Sequence, residues 1–380
     1  MSTSFKIKDI FADHWDAFLD QGYPIRPAVL KNVQKIIFCG EPSMGHALYY
    51  CNNCKRFKYV YFTCKSRFCN SCGAKYTQDR ASSITSKLIN CKHRHIVFTI
   101  PQELRILFRK DRKLLHLLFK ACADTILTWY FNINKSENFK PGFISTMHTF
   151  GRDLKWNPHI HMLLTEGASG SKTVWRKISH IPFNMLRKRW QATLLSLLHK
   201  SLGSSFYALK SKLFKTYSDG FYVYAKPNMN TKSQDAIKYI IRYTGRPAMA
   251  QSRILDYDGE FVTFYYDRHE DNKRVTEKLH AFDFIKRLII HIPDEQFKMI
   301  RYYGLYAKKY IHSSKLYLMD TITKKLFRKK YSNWRARLLL AFGVDPLCCS
   351  CGTIMEFIGV FQSSKNPYIE NISSTLYNSS

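Results

Sequence analysis

Two Cys-x2-Cys pairs constrain this chain more than any other feature. Cys51 and Cys54 form one pair, Cys69 and Cys72 the other, with residues 55–68 between them. Each pair makes a tight turn presenting two thiolates, and two such turns complete a tetrahedron, so the spacing predicts a zinc-ribbon module. Cys39, His46 and Cys64 lie in the same stretch; they either help to hold a second zinc or are buried and inert. The 11 cysteines sit in a chain whose N-terminus has no secretory apolar core, which points to metal and not disulfides, with a cytoplasmic location expected. Lys55, Arg56, Lys65 and Arg67 surround the cysteines, so the module is basic and suited to grip DNA.

That basicity runs the length of the chain. Lys and Arg number 60 against 28 Asp and Glu, and self-repulsion at a net charge of +32 calls for a polyanionic partner. A membrane surface would gather this charge on one amphipathic helix beside an apolar anchor. Here it is spread among aromatic residues that make up 15% of the chain, as suits a groove that follows a nucleic-acid backbone and stacks bases. No apolar run reaches transmembrane length, and a membrane partner is not expected. With 380 residues, 45% of them apolar, the chain can bury a sizeable core in two or three domains.

The chemistry centres on His159-Ile160-His161. The run His159 to Leu164 is short, largely apolar and preceded by Asn157-Pro158, so it reads as a buried strand entered from a turn. Alternate side chains of a strand share a face, which puts both imidazoles on one side and Ile160 and Met162 on the other. Two histidines so placed suit a divalent ion, or else flank a core isoleucine. Phe143 to Phe150 reads as a neighbouring strand carrying His148, which makes three possible ligands. His93-Arg94-His95 repeats the spacing but puts a charge where a core side chain should be, and ranks well below. The strand His95 to Pro101 opens this region, and helices follow over 102–133 and 183–202.

Gln234 to Thr244 reads as a helix with Ser233 as its N-cap. Ile237, Ile240 and Ile241 form its apolar stripe. Tyr239 and Tyr243 lie on the far side, next to Arg242 and Arg246, so core packing does not account for them. Residues 251–290 read as a hairpin with Phe261, Thr263 and Tyr265 alternating, then a helix; 331–342 reads as a last helix. Cys348-x2-Cys351 supplies half a zinc site without a visible partner. The expected organisation is a helical segment (1–38), a zinc module that contacts DNA (39–88), a catalytic domain (89–310) and a C-terminal helix, cysteine turn and polar tail (311–380).

Taken together, Cys51-x2-Cys54 through Cys69-x2-Cys72, His95-Ile-Val-Phe-Thr-Ile-Pro101, His148-Thr-Phe-Gly151, Pro158-His-Ile-His161 and Tyr239-Ile-Ile-Arg-Tyr-Thr-Gly-Arg246 carry a resemblance. Over residues 10 to 360 the chain resembles the rolling-circle insertion-sequence transposases of the HUH, two-tyrosine class, which have an N-terminal zinc-binding domain. The resemblance implies an α+β fold, with an HUH-type antiparallel sheet and flanking helices. It implies a catalytic Mg or Mn ion held by the His-x-His strand, and helix tyrosines that attack single-stranded DNA to leave a 5′-phosphotyrosine. Three departures stand out. Phe68 and Asn157 replace histidines frequent in relatives, and the C-terminal tail is short.

Other readings remain. A replication initiator or relaxase shares the chemistry, though the cysteine-rich module weighs against it. An acidic-triad transposase needs carboxylates that this acid-poor chain does not advertise. A tyrosine recombinase should show His-x2-Arg, which none of the 14 histidines begins. The last alternative is a non-catalytic, zinc-dependent DNA-binding protein.

Overall fold

A computed structural model describes residues 5–85, 88–225, 247–268, 271–308 and 347–362, with 335, 339 and 345, and shows helices mixed with antiparallel sheets. It starts with α1 (Ile7–Leu19) and α2 (Pro27–Ile37), both within the segment expected to be helical, 1–38. β1 (His46–Cys51) and β2 (Arg56–Tyr61) form a hairpin, followed by α3 (Asn70–Thr85). Next come β3 (His93–Phe98), α4 (Gln102–Lys110), α5 (Leu115–Ile133), β4 (Gly142–Phe150) and β5 (Trp156–Thr165). A short ribbon of β6 (Gly167–Ala168) and β7 (Arg176–Lys177) leads to α6 (Phe183–Leu202), α7 (Tyr207–Thr216) and β8 (Val223–Ala225). The meander β9 (Ile254–Tyr257), β10 (Phe261–Asp267) and β11 (Arg274–His280) runs into α8 (Ala281–Ile289), and β12 (Ile300–Gly304) and β13 (Glu356–Phe361) complete the elements. The helix expected over 234–244 lies outside the described residues, as does most of that expected over 331–342.

The largest sheet has the order β12-β4-β5-β3-β8, antiparallel at each junction. Strand alternation divides its two faces. Ile96, Phe98, Phe143, Met147, Ile160, Met162 and Leu164 belong to one buried cluster with Leu118, Phe119 and Ile126 of α5 and Trp190, Leu194 and Leu198 of α6. The interposed positions include His95, His148, His159 and His161, with Ile144 and Leu163 on the same face packing into a separate cluster with Leu305 and Tyr306. β5 starts earlier than the sequence suggests, at Trp156, so Pro158 lies inside a strand. A register shift explains its tolerance: His148 pairs with His159, but the next pair is Phe150 with Trp156, so the ladder is interrupted where a proline has no N–H to offer.

α1 and α2 pack against the meander and α8. Ile10, Phe11, Trp15, Phe18, Val33 and Ile36 share a core with Val262, Phe264, Phe284 and Ile285. Along β10 the buried positions are Val262 and Phe264, so Phe261, Thr263 and Tyr265 form the half-buried face. Cys39, Cys64, Cys69 and Cys72 are buried in this same core.

The third unit is a small sheet of order β13-β1-β2, in which the last described strand pairs with the first. Gly45 makes the junction possible. It adopts φ of +82°, and a Cβ there would lie 2.6 Å from the Phe361 carbonyl oxygen. Beneath the sheet the buried apolar set is Ala47, Tyr49, Cys51 and Met355, while Phe57, Tyr59, Phe357 and Phe361 are exposed. Among the described residues no helix is long and apolar enough to cross a membrane.

Candidate functional site

His148, His159 and His161 each offer a ring nitrogen, and these atoms lie within 4.8 Å of one another. The register causes the meeting. His148 and His159 are direct partners across β4 and β5, and His161 follows two residues along on the same face. His159 Nδ1 lies 2.7 Å from the Asn157 carbonyl oxygen; a carbonyl only accepts, so Nδ1 carries the proton and Nε2 keeps its lone pair. Burial lowers the pKa of His159, with the Asn157 carbonyl opposing and Arg105 adding to the shift, and so favours the neutral, ligating form. His159 Nε2 and His161 Nε2 are 3.0 Å apart. Two nitrogens at right angles about an ion, each at about 2.1 Å, stand about 3.0 Å apart, so the pair fits a shared cation.

A fourth histidine joins from β3. His95 Nε2 is 3.0 Å from His161 Nδ1, the nitrogen that faces away from His159, and is placed to fix the orientation of that ring. The charge of Arg94, which sits where a core side chain is expected, does not disturb this arrangement: Arg94 Nε donates to Glu166 at 2.8 Å, so the charge is matched outside the histidine cluster. Nothing local signals Glu166, which lies on the chain beyond β5. His291 is a further support, found by no motif. Its Nε2 donates to the Leu154 carbonyl at 2.8 Å, which leaves Nδ1 to accept from the Thr149 hydroxyl at 3.1 Å, pinning the turn between β4 and β5.

The thiols fall into two sets. Cys39, Cys64, Cys69 and Cys72 form one, all buried, and Cys51, Cys54, Cys349 and Cys351 form the other. This differs from a ribbon in which Cys51, Cys54, Cys69 and Cys72 share one ion. The reason is β2, whose six residues carry the chain about 20 Å, so the two Cys-x2-Cys pairs occupy opposite ends of a hairpin. In the first set the sulfurs of Cys39 and Cys72 and of Cys64 and Cys72 are 3.6 Å apart, and those of Cys69 and Cys39 are 3.7 Å apart. Zinc bonded to four sulfurs at about 2.3 Å spaces them about 3.8 Å apart, so this set fits zinc. His46 belongs to neither set; its ring stacks on Phe361 at 5.3 Å. Cys348 also stands apart, its thiol donating to the Cys349 carbonyl at 3.4 Å.

Lys55 and Arg56 are exposed on the β1–β2 turn, and Lys65 is exposed beside the first thiol set. Arg67 is half-buried, its guanidinium 5.0 Å over the Phe68 ring, and burial lowers its pKa. Tyr239, Tyr243, Arg242 and Arg246 lie outside the described residues.

Comparison with known proteins bears on what these groups serve. Residues 10–100 match a family described as a transposase zinc-binding domain, and residues 142–314 match one described as a putative transposase. The chain is 30% identical over 371 residues to the transposase for insertion sequence element IS801 of Pseudomonas savastanoi pv. phaseolicola, covering 92% of this chain and 88% of that protein. It is 26% identical over 329 residues to the putative transposase y4qJ of Sinorhizobium fredii, covering 80% of this chain and 81% of that protein. No solved structure matches. The zinc-binding domain match and the cysteine clusters together support structural zinc.

Proposed function

The chain belongs to the IS91/IS801 family of insertion-sequence transposases, and we propose that it cleaves and rejoins single-stranded DNA at insertion-sequence ends through a covalent 5′-phosphotyrosine. His148, His159 and His161 hold a divalent ion, Mg or Mn, and Tyr239 and Tyr243 are the nucleophiles. The observation that carries the reading is the convergence of three imidazoles on one face of β4 and β5. When bound, such an ion polarises the scissile phosphate and offsets the charge on its oxygens.

The protein's own groups supply the rest. His159 binds through Nε2 because its Nδ1 proton is committed to the Asn157 carbonyl. A tyrosine oxygen bonds to phosphorus as the bond to the 3′ oxygen breaks. The phenol loses its proton and the departing oxygen gains one, so the ester keeps the energy of the broken bond and no nucleotide is consumed. Rejoining reverses the step, with a 3′ hydroxyl as attacking group. A second tyrosine allows a second cleavage while the first strand end is still held. Arg242 and Arg246 meet the phosphate charge beside the tyrosines. Lys55, Arg56, Lys65 and Arg67 anchor DNA on the zinc module, where the exposed rings of Phe57, Tyr59 and Tyr61 offer stacking surfaces to bases.

The test is adduct formation on a labelled single-stranded oligonucleotide. Tyr239→Phe with Tyr243→Phe is expected to abolish the covalent adduct, while one of the single substitutions still permits one cleavage. Phe keeps the ring and the helix propensity, so the loss reports on the hydroxyls. An adduct formed by the double variant places the nucleophile elsewhere, and a wild-type protein that shifts the oligonucleotide but leaves it whole is a binding protein.

A further inference from the structure

The second thiol set joins two distant parts of the described chain. Cys51 ends β1 and Cys54 follows in the turn, while Cys349 and Cys351 lie in the turn before β13. Cys51 Sγ is 3.6 Å from Cys351 Sγ, and Cys349 Sγ is 3.8 Å from Cys54 Sγ. These separations are far beyond the ~2.05 Å of a disulfide and match the ~3.8 Å edge of a zinc tetrathiolate. Both turns are shaped to present sulfur. Cys54 N donates to Cys51 Sγ at 3.5 Å and Lys55 turns the chain at φ of 57°; across from them, Gly352 does the same at φ of 84°, its N–H bonded to the Cys349 carbonyl at 2.9 Å.

We propose that Cys51, Cys54, Cys349 and Cys351 hold a second structural zinc, separate from that of Cys39, Cys64, Cys69 and Cys72, which clamps the C-terminal strand onto the N-terminal module. The matched zinc-binding domain ends at residue 100 and does not reach the later pair. The small sheet needs such a clamp. Its buried apolar set is four residues, one of them Cys51 itself, and β13 is exposed along nearly its whole length. So small a core does not hold a strand that returns from a distant part of the chain, whereas a tetrathiolate ion contributes its binding energy directly to folding. Exposure also sets the order of release. The first set is wholly buried, whereas Cys54 and Cys349 are half-buried and Cys351 is exposed, so a chelator reaches the second ion first. The proposal depends on neither the histidines nor the tyrosines.

The test uses the full chain, purified without chelator. Elemental analysis is expected to find one zinc equivalent fewer in the Cys349→Ser, Cys351→Ser double variant than in wild type. Zinc release from wild type into a chromogenic chelator should be biphasic, and the variant should lack the fast phase. Hydrogen exchange should rise in β13 and β1 of the variant and stay unchanged in α1 and α2, which separates loss of the clamp from general unfolding. Equal zinc content in the two proteins overturns the proposal, as does a single release phase shared by both.

Discussion

The five-stranded sheet and the β13-β1-β2 sheet each carry a converging set of side chains that could hold a metal ion, and they differ in what lies beneath. Behind the histidines, Phe143, Met147, Ile160 and Met162 pack into a continuous cluster with α5 and α6. Behind Cys51, Cys54, Cys349 and Cys351 the buried set is Ala47, Tyr49, Cys51 and Met355. At about 1.5–3 kcal/mol for each large apolar side chain fully buried, the first sheet is held together by its core and the second is not. Packing therefore places the histidines whether or not an ion is present. In the small sheet the dependence runs the other way, with ligands holding the strands.

The sharpest way to break this comparison is to remove ligands from the well-packed sheet. His159→Ala with His161→Ala is expected to lower strand cleavage at least about 1000-fold, or about 4 kcal/mol of barrier. Melting temperature and DNA affinity should stay close to wild type, because neither the core nor the spread of Lys and Arg is altered. Cleavage, thermal melting and filter binding on the same preparation check all three. A double variant that unfolds would show that the histidine sheet also depends on its ligands.

A smaller effect comes from two buried histidines that support the large sheet. Burial brings His93, in β3, and His291, which follows α8 and bonds to the β4–β5 turn, down to about 4. Between about 6.5 and 4 the unfolded chain binds protons that the folded chain refuses, so stability rises with pH across this window and is lost as pH falls through it. Each group contributes up to about 3 kcal/mol to that loss. Urea melts at a series of pH values should show the slope, and His291→Gln, whose amide can keep a hydrogen bond without titrating, should flatten it. An unchanged slope in His291→Gln would assign the acid sensitivity to other groups.

The smallest effect expected is at His95, which contacts the proposed ligand His161 and is not itself one of the proposed three. His95→Phe should weaken the divalent ion about 10–100-fold, read as a shift in the Mn concentration needed for half-maximal cleavage, with the saturated rate little changed. His95→Gln, still able to hydrogen-bond to His161, should recover most of the affinity. Equal metal dependence in His95→Phe and wild type would remove His95 from this role.

What could be read from the sequence follows the range of the interactions. His159 and His161 share a face because strand alternation is local, and α1 shows in the spacing of Ile10, Phe11, Trp15 and Phe18 as α2 does in that of Val29, Val33 and Ile36. The partners of each cysteine pair were not legible. Spacing shows that Cys51 and Cys54 make a turn, but which other turn meets them depends on where β2 and β13 run, and here the answer lies at the far end of the chain. The same limit hid the C-terminal ligand choice, since Cys348-x2-Cys351 has the familiar spacing but Cys349 and Cys351 face the other pair. His95 was passed over for a charge whose partner, Glu166, comes 72 residues after Arg94.

The span between Cys54 and Cys349, 295 residues, also has a meaning in time. At about 5–20 residues per second, a ribosome that has just made Cys54 needs about 15–60 s to reach the thiol that faces it. Through that interval the first-made sheet lacks both its third strand and half of its sulfurs. A nascent chain, or one cut short by a stop codon or a protease, carries an open pair of thiols where the finished protein has a closed set. β1 and β2 are thus made long before the strand and the thiols that complete their sheet.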